Sequence, residues 1–359
     1  MSALTDPAAP VPITRPTLWM LPKVDLHRHL EGSLRLETMA EIATEHGVDL
    51  PSHSIEELRH YVQVVDEEPP DYIGFLSKFQ LIRRFYRTPE AIARIAYEAV
   101  ADAAADNIKY LELRFNPEAL AQTRNFTFED VTDWVIQGVN AAQAERDITV
   151  RLIMSIQRYV DVTMAWHIAR IAMARIDRGV VGLDLLGNEQ GFPARPYASV
   201  FRAAKAAGLG ITIHAGEGAG ADSVRQAVEL LEADRLGHGI RTIEDSEVAQ
   251  LVRERNVALE VCVTSNLQTA VVRSLWQHPL PDLLALQLRI TLNTDDPSIC
   301  DTTLTDEYLV ATGPLRITPA GLGHMILNGI QAAFLPAAEK TVLEKRFTQE
   351  LTEAGFLEG

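Results

Sequence analysis

Apolar, branched-rich runs recur along the chain at residues 108–115, 148–156, 180–186, 209–214, 235–238, 257–263 and 288–294, each about the length of a strand. With an opening segment at 24–32 they make eight. Between them, apolar positions return at helical spacing over 128–144, 163–176, 197–207, 222–232 and 246–255. Near-continuous apolar strands separated by helices predict a parallel sheet covered on both faces. Eight such units predict an α/β architecture closed as a (β/α)8 TIM barrel. The competing arrangement, an open doubly wound sheet, wants a glycine-rich phosphate turn after an early strand, and no G-x-G-x-x-G occurs there.

Two stretches fall outside the repeating unit. After the first strand, Ser33 is expected as a helix N-cap, with Leu34, Leu36, Met39, Ile42 and Ala43 following at near-helical spacing; a helical insertion is expected to run to about residue 107. Within it Tyr72, Phe75, Leu76 and Phe79 share one helix face, a stripe that suits either core packing or a lid. The tail from Thr318, with Ala332, Phe334, Leu343, Phe347, Leu351 and Phe356, reads as extra C-terminal helices packed outside the barrel.

Composition narrows the partners more than the fold. A chain of 359 residues, 47% hydrophobic, can bury one large core or two ordinary ones. No linker or low-complexity tract divides it, so residues 21–359 are expected to form a single domain behind a loosely ordered lead-in at 1–20. The excess of 49 acidic over 33 basic residues, a formal charge of −16, disfavours nucleic acid or an anionic membrane as the main partner and suits a small molecule. Homo-oligomerisation is left open. Cys262 and Cys300 are the only cysteines, too few for a disulfide framework or a thiolate zinc site, which points to a cytoplasmic setting. Asp6 and four prolines (Pro7, Pro10, Pro12, Pro16) stand where a signal peptide would need a basic start and an apolar core, and no apolar run is long enough to span a bilayer.

Polar residues at the C-terminal ends of barrel strands converge on the face where active sites form, and here they are chemically loaded. In the first strand His27 and His29, two apart, project together while Arg28 faces outward. Further along come Gly187-Asn188-Glu189, the run from His214 to Glu217, Gly237-His238-Gly239 and the run from Asn293 to Pro297. A sixth end, from Cys262 to Asn266, is polar but less pointed. Singly, each has a bland reading: a capped core histidine, a first-turn carboxylate favoured by the helix dipole, a tight turn, a helix start with Pro at its first position. Jointly, the bland readings require four strands to end in His or Asp by coincidence. Three imidazoles (His27, His29, His214) and the carboxylate of Asp295 suit one catalytic zinc with an exchangeable water. Zinc lowers the pKa of that water from ~16 towards neutrality. His238 is placed to orient the water and take its proton. Glu217, one helical turn from His214, is placed as the general acid.

With these motifs in view, the chain resembles the adenosine deaminase family of the amidohydrolase superfamily. The matching pieces are VDLHRHLEGS at 24–33, DLLGNE at 184–189, HAGE at 214–217, GHGI at 237–240, TSN at 264–266 and NTDDP at 293–297. They stand in family order, and the likeness spans about residues 20 to 340. The resemblance implies zinc-dependent hydrolytic deamination at C6 of adenosine or 2′-deoxyadenosine, giving the inosine product and ammonia. It implies one Zn²⁺ on His27, His29, His214 and Asp295, N1 protonation by Glu217, and a water positioned and deprotonated by His238. The Gly187 N–H would meet N3 and Asp296 would hydrogen-bond N7. His29 and Glu31 would also touch the substrate, and Phe75, Leu76 and Phe79 would form an apolar lid beside Tyr72. Asp184 and Ser265 would steady His238 or Asp295.

Three positions depart from the family pattern. Glu31 replaces the Asp that reaches the ribose 5′ hydroxyl, Val263 replaces a Pro, and Asn188 stands where many members have Asp. Relatives acting on free adenine also carry Glu at the first of these positions. Free adenine and 5′-modified adenosines such as methylthioadenosine or aminodeoxyfutalosine are therefore the alternative substrates. A two-metal amidohydrolase is more remote, since its bridging lysine is absent from the strand at 180–186. The zinc deaminases that use Pro-Cys-x-x-Cys are excluded by the lack of that motif.

Overall fold

The computed structural model describes residues 13–52, 54–65 and 68–358. Eight strands follow one another in sequence order: β1 Lys23–His29, β2 Ile108–Phe115, β3 Thr149–Gln157, β4 Val180–Leu186, β5 Gly210–Ala215, β6 Arg235–His238, β7 Ala258–Val261 and β8 Arg289–Leu292. Each pairs with the next in parallel. The seam between β8 and β1 is closed just beyond β8. There the Asp295 N–H donates to His27 O and the His29 N–H donates to Asp295 O, both at 2.8 Å. The bonds that shut the barrel are thus the ones that set Asp295 beside the histidine pair.

The strands are buried on both faces, as parallel strands under helices must be. Strand β7 is shorter than its apolar run suggests, because Val263–Gln268 turns into a helix. The first N–H groups of that helix, on Val263 and Thr264, donate to the buried Glu307 carboxylate, which satisfies orphan donors and complements the helix dipole. The helices between strands begin where side chains cap them: Thr127 before Phe128–Glu145, Asp161 before Val162–Met173 and Asp245 before Ser246–Glu254.

The barrel interior carries charge as well as aliphatic packing. Arg235 Nε donates to Glu260 Oε1 at 2.6 Å, its Nη2 reaches Glu112, and Arg114 Nη2 donates to Glu260 Oε2 at 2.7 Å. All of these side chains are fully buried, and buried charges persist only when paired in this way. Phe334 plugs the barrel beneath them: the Arg235 guanidinium lies 3.6 Å over its ring, and a Cβ on Gly210 would fall 2.2 Å from that ring.

The insertion after β1 comprises helices Leu36–His46, Ile55–Val62, Tyr72–Ile82 and Pro89–Ala105. Ser33 does not cap the first of them. That helix starts after Arg35, while Ser33 Oγ donates to His29 O at 2.6 Å inside the 3-10 turn Glu31–Ser33. At the other end Pro319–Ala332 and Ala337–Glu353 pack outside the barrel. Of the lead-in, residues 1–12 lie outside the described residues; Arg15–Met20 is a helix rather than loose chain, tied down by buried Leu18 and the Arg15–Asp306 ion pair. Among the described residues no helix is long and apolar enough to cross a membrane.

Candidate active site

The strand ends gather His27, His29, His214 and Asp295, all buried, so that one nitrogen or oxygen from each lies within 4.8 Å of the others. His27 and His29 sit two apart on β1, and His214 is the penultimate residue of β5. Asp295 and His238 both have left-handed backbone, with φ of 64° and 60°. That conformation costs on the order of 1–3 kcal/mol away from glycine, and it aims both side chains into the barrel mouth. Gly237 makes room: a Cβ there would lie 2.9 Å from His27 Cε1 and 3.1 Å from the His214 ring.

Outer carboxylates orient the rings. His27 Nδ1 donates to Glu260 Oε2 at 2.8 Å and His214 Nδ1 donates to Asp184 Oδ1 at 3.0 Å, which leaves a lone pair on each Nε2. His27 Nε2 has no hydrogen-bond partner and faces Asp295 Oδ1 at 3.2 Å, as does His29 Nε2 at the same distance. Acceptor atoms crowded against one another in a buried site call for a cation between them, so the residues present fit a divalent metal. Ser265 Oγ donates to Asp295 Oδ2 at 2.6 Å and holds the carboxylate's other oxygen. Cys262 lies near His238 and Asp295, but its thiol donates to Glu260 O and burial pushes it up, so it stays protonated.

Electrostatics separate the acids into two kinds. Burial alone would raise Asp295, Asp184 and Glu260, but the facing histidines and arginines overcome it and hold all three below the usual carboxylate range. Glu217 and Asp296 go the other way. Burial, reinforced by neighbouring carboxylates, holds both well above that range, so Glu217, at the rim of an anionic cluster, keeps its proton to higher pH than an ordinary carboxyl. Its Oε2 lies 3.6 Å from His238 Nε2. Glu217 is not on the helix after β5, which begins only at Ala221. It sits in a turn whose three N–H groups, on Gly216, Glu217 and Gly218, donate to Glu189 at 2.9, 3.0 and 2.8 Å. The end of β4 therefore fixes the acid that β5 carries.

A cleft of about 330 Å³ opens over this cluster. Its floor includes His29, His214, Glu217, His238 and Asp295; Gly187 and Asp296 line its sides, and Phe75, Leu76, Phe79 and Tyr72 cover it. Phe75 is buried and Leu76 is 38% exposed, so the aromatic stripe both packs inward and roofs the cleft. Glu31 also lines the cleft, raised by burial to about 7, with Oε1 accepting from Asn116 N–H at 2.8 Å. Glu31 Oε2 and Asn116 Nδ2 are buried there without partners.

Comparisons with known proteins decide what kind of barrel this is. The adenosine deaminase family model matches residues 22–350. The chain belongs to the adenosine deaminase family. It is 37% identical over 333 residues to an adenosine deaminase of Clostridium botulinum, covering 92% of this chain and 98% of that one. Among solved structures, adenine deaminase from Arthrobacter aurescens superimposes with a TM-score of 0.83 at 28% identity, covering 92% of this chain and 98% of that one. An amidohydrolase from Burkholderia ambifaria with bound zinc superimposes with a TM-score of 0.87 at 27% identity, covering 96% and 95%. The chain is accordingly a hydrolase of this family, whose members are metal-dependent.

The structure brings every expected site residue of this family member to one end of the barrel, with one reassignment. Asp184 steadies His214 on the adjacent strand rather than His238 or Asp295, and His238 instead meets Asn266 at 3.1 Å. Glu260, Arg114 and Asn116 are functional supports that the sequence does not mark by motif: isolated charges inside apolar strands are the only signal for the first two, and Asn116 looks like an ordinary loop residue. Glu189 stands in a loaded strand end, but its role as the holder of the Glu217 turn shows only in the structure.

Proposed function

We propose that this chain hydrolyses adenosine and 2′-deoxyadenosine to their inosine products and ammonia, with a single Zn²⁺ held by His27, His29, His214 and Asp295. The observation that carries this reading is the buried Glu217 carboxyl, pushed up by burial and by Asp295 and Glu189, facing the same cleft as that ligand set. A divalent ion held by these four residues would lower the pKa of a water molecule towards neutrality and so make a nucleophile available. The chain's own residues supply the rest. Glu217 gives its proton to N1 of the ring, which makes C6 electrophilic. His238 orients the attacking oxygen, the Gly187 N–H meets N3, and Asp296, its carboxyl pushed up by burial, hydrogen-bonds N7. The roof of Phe75, Leu76, Phe79 and Tyr72 excludes water, which strengthens each polar contact beneath it.

The polar pair of Glu31 and Asn116 suits a sugar. Glu31 Oε2 and Asn116 Nδ2, both buried without partners, offer an acceptor and a donor, and a ribose hydroxyl uses both. Glu31 also supports a second reading, free adenine, since the Arthrobacter neighbour is an adenine deaminase and an N9–H would equally donate to a carboxylate. Residues 21–359 act as one domain in either case, on a small purine, with a homo-oligomer compatible with the fold. The deciding experiment is a panel of adenosine, 2′-deoxyadenosine, 5′-modified adenosines and adenine on zinc-loaded protein, followed by loss of absorbance near the adenine maximum. Turnover of adenine above that of adenosine would replace the first reading with the second, and turnover of none would remove both.

A further inference from the structure

One buried histidine has no part in the chemistry above. His278, 3% exposed, precedes the helix Leu280–Ala285, and the Leu280 N–H, an otherwise unpaired donor at that helix start, points to His278 Nδ1 at 3.2 Å. A backbone N–H can only donate, so Nδ1 accepts, and the proton of the neutral ring sits on Nε2. The ring is neutral because burial lowers it to about 4. His278 Nε2 lies 3.3 Å from Asn266 Oδ1 and donates to it.

That contact fixes how the Asn266 amide is turned. The opposite orientation would set its NH2 against the His278 N–H. With the carbonyl towards His278, the NH2 points to His238 Nδ1 at 3.1 Å. An amide NH2 can only donate, so His238 Nδ1 accepts in its turn, and the neutral His238 ring carries its proton on Nε2. Nε2 is the nitrogen that faces the cleft, 3.6 Å from Glu217 Oε2 and 3.9 Å from Asp295 Oδ2. The direction of one main-chain donor is thus transmitted through three buried side chains to the active site.

We propose that His278 is a positioning residue which, through Asn266, fixes His238 as the tautomer that enters the cleft as a hydrogen-bond donor. In that state Nε2 is already protonated, so His238 holds the attacking oxygen by donating to it and does not take the oxygen's proton. The role of that oxygen rests on the deaminase reading above. The tautomer does not.

Two measurements test this. In nitrogen-15 histidine NMR of the metal-loaded protein, His238 should show a directly bonded hydrogen on Nε2 and none on Nδ1; the reverse pattern overturns the proposal. In kinetics, Asn266→Asp keeps the shape but only accepts, forcing the hydrogen onto His238 Nδ1. Its kcat should fall by about 10²–10³, the loss seen when one preorganised donor is removed, with metal content unchanged. His278→Ala should lose part of this, and His278→Gln should restore it, because a glutamine amide can accept from Leu280 and donate to Asn266 at once. Wild-type kcat in Asn266→Asp, or no rescue by glutamine, counts against the relay. Should Asn266→Asp fail to fold, the spectrum of the unmodified protein still decides. A wild-type chain that turns over no purine removes the deaminase reading while leaving the NMR result to stand alone.

Discussion

Glu260→Gln removes one charge from the centre of the barrel while leaving the side chain's size unchanged. Glu260 Oε2 accepts from His27 Nδ1 at 2.8 Å and Arg114 Nη2 at 2.7 Å, and Oε1 accepts from Arg235 Nε at 2.6 Å and Thr212 Oγ1 at 3.1 Å. A carboxamide has one acceptor oxygen, so whichever way it sits its NH2 meets the N–H of a buried arginine. One charge-assisted hydrogen bond lost in this way is worth about 1.5–3 kcal/mol. Breaking a buried ion pair costs about 3–5 kcal/mol, because the remaining charge stays uncompensated. Set against a domain stability of roughly 5–15 kcal/mol, the variant folds at room temperature but unfolds at clearly lower urea. The second consequence is at the metal. The acceptor that keeps the His27 hydrogen on Nδ1 is lost if the NH2 takes the Oε2 place and becomes a neutral amide oxygen if it takes the Oε1 place, and an outer partner of this kind is worth about 10–100-fold in metal affinity. Urea unfolding of the apo protein measures the first effect, and zinc competition with a chromophoric chelator measures the second. A variant with a lowered urea midpoint but wild-type zinc affinity would show that Glu260 only balances charge. Unchanged behaviour in both assays would refute the interior pairing itself.

Three further outcomes follow from the same geometry. Glu217→Gln should cut kcat by about 10²–10⁴ with zinc content unchanged, the usual range for loss of a general acid. Because burial, Asp295 and Glu189 hold the Glu217 carboxyl above its ordinary range, its proton is kept to higher pH than that of an ordinary carboxyl and is lost as pH rises further. The wild-type kcat/KM profile should therefore fall on the alkaline side, and a variant with wild-type turnover would mean that another group protonates the ring. Gly237→Ala drives a Cβ towards two rings that cannot yield, so zinc affinity should drop and overpacking should cost about 1–3 kcal/mol, read by chelator competition and urea unfolding. Asn116→Ala should raise KM for adenosine by about 10-fold, equivalent to ~1.4 kcal/mol, while leaving KM for adenine unchanged if the amide meets a sugar hydroxyl; equal rises for both would place it elsewhere.

The difference between what could be read from the chain and what could not lies in the range of the relation. The eight-strand pattern is local, since burial on both faces shows in each apolar run by itself, and rare residue types at strand ends mark the chemistry without any partner being known. The supports depend on what faces what across the barrel. Glu260 on β7 meets Arg114 on β2, 146 positions away, and no strand period or neighbour rule connects those two strands. The available signal was of another kind: Glu112, Arg114, Asp184, Arg235 and Glu260 are charges inside runs destined for burial on both faces. A charge so placed must be paired. The sequence therefore implies that these residues satisfy one another, but not in which combination, because only closure of the sheet brings β2, β6 and β7 around one space. Glu217 shows the converse error. Its distance of three from His214 fits a helical turn, yet the chain there is a loop held by Glu189 from the neighbouring strand. Spacing along the chain was a sound guide to which face of the barrel the acid reaches, and a poor one to what holds it there, because in a barrel the holding is done by the next strand over.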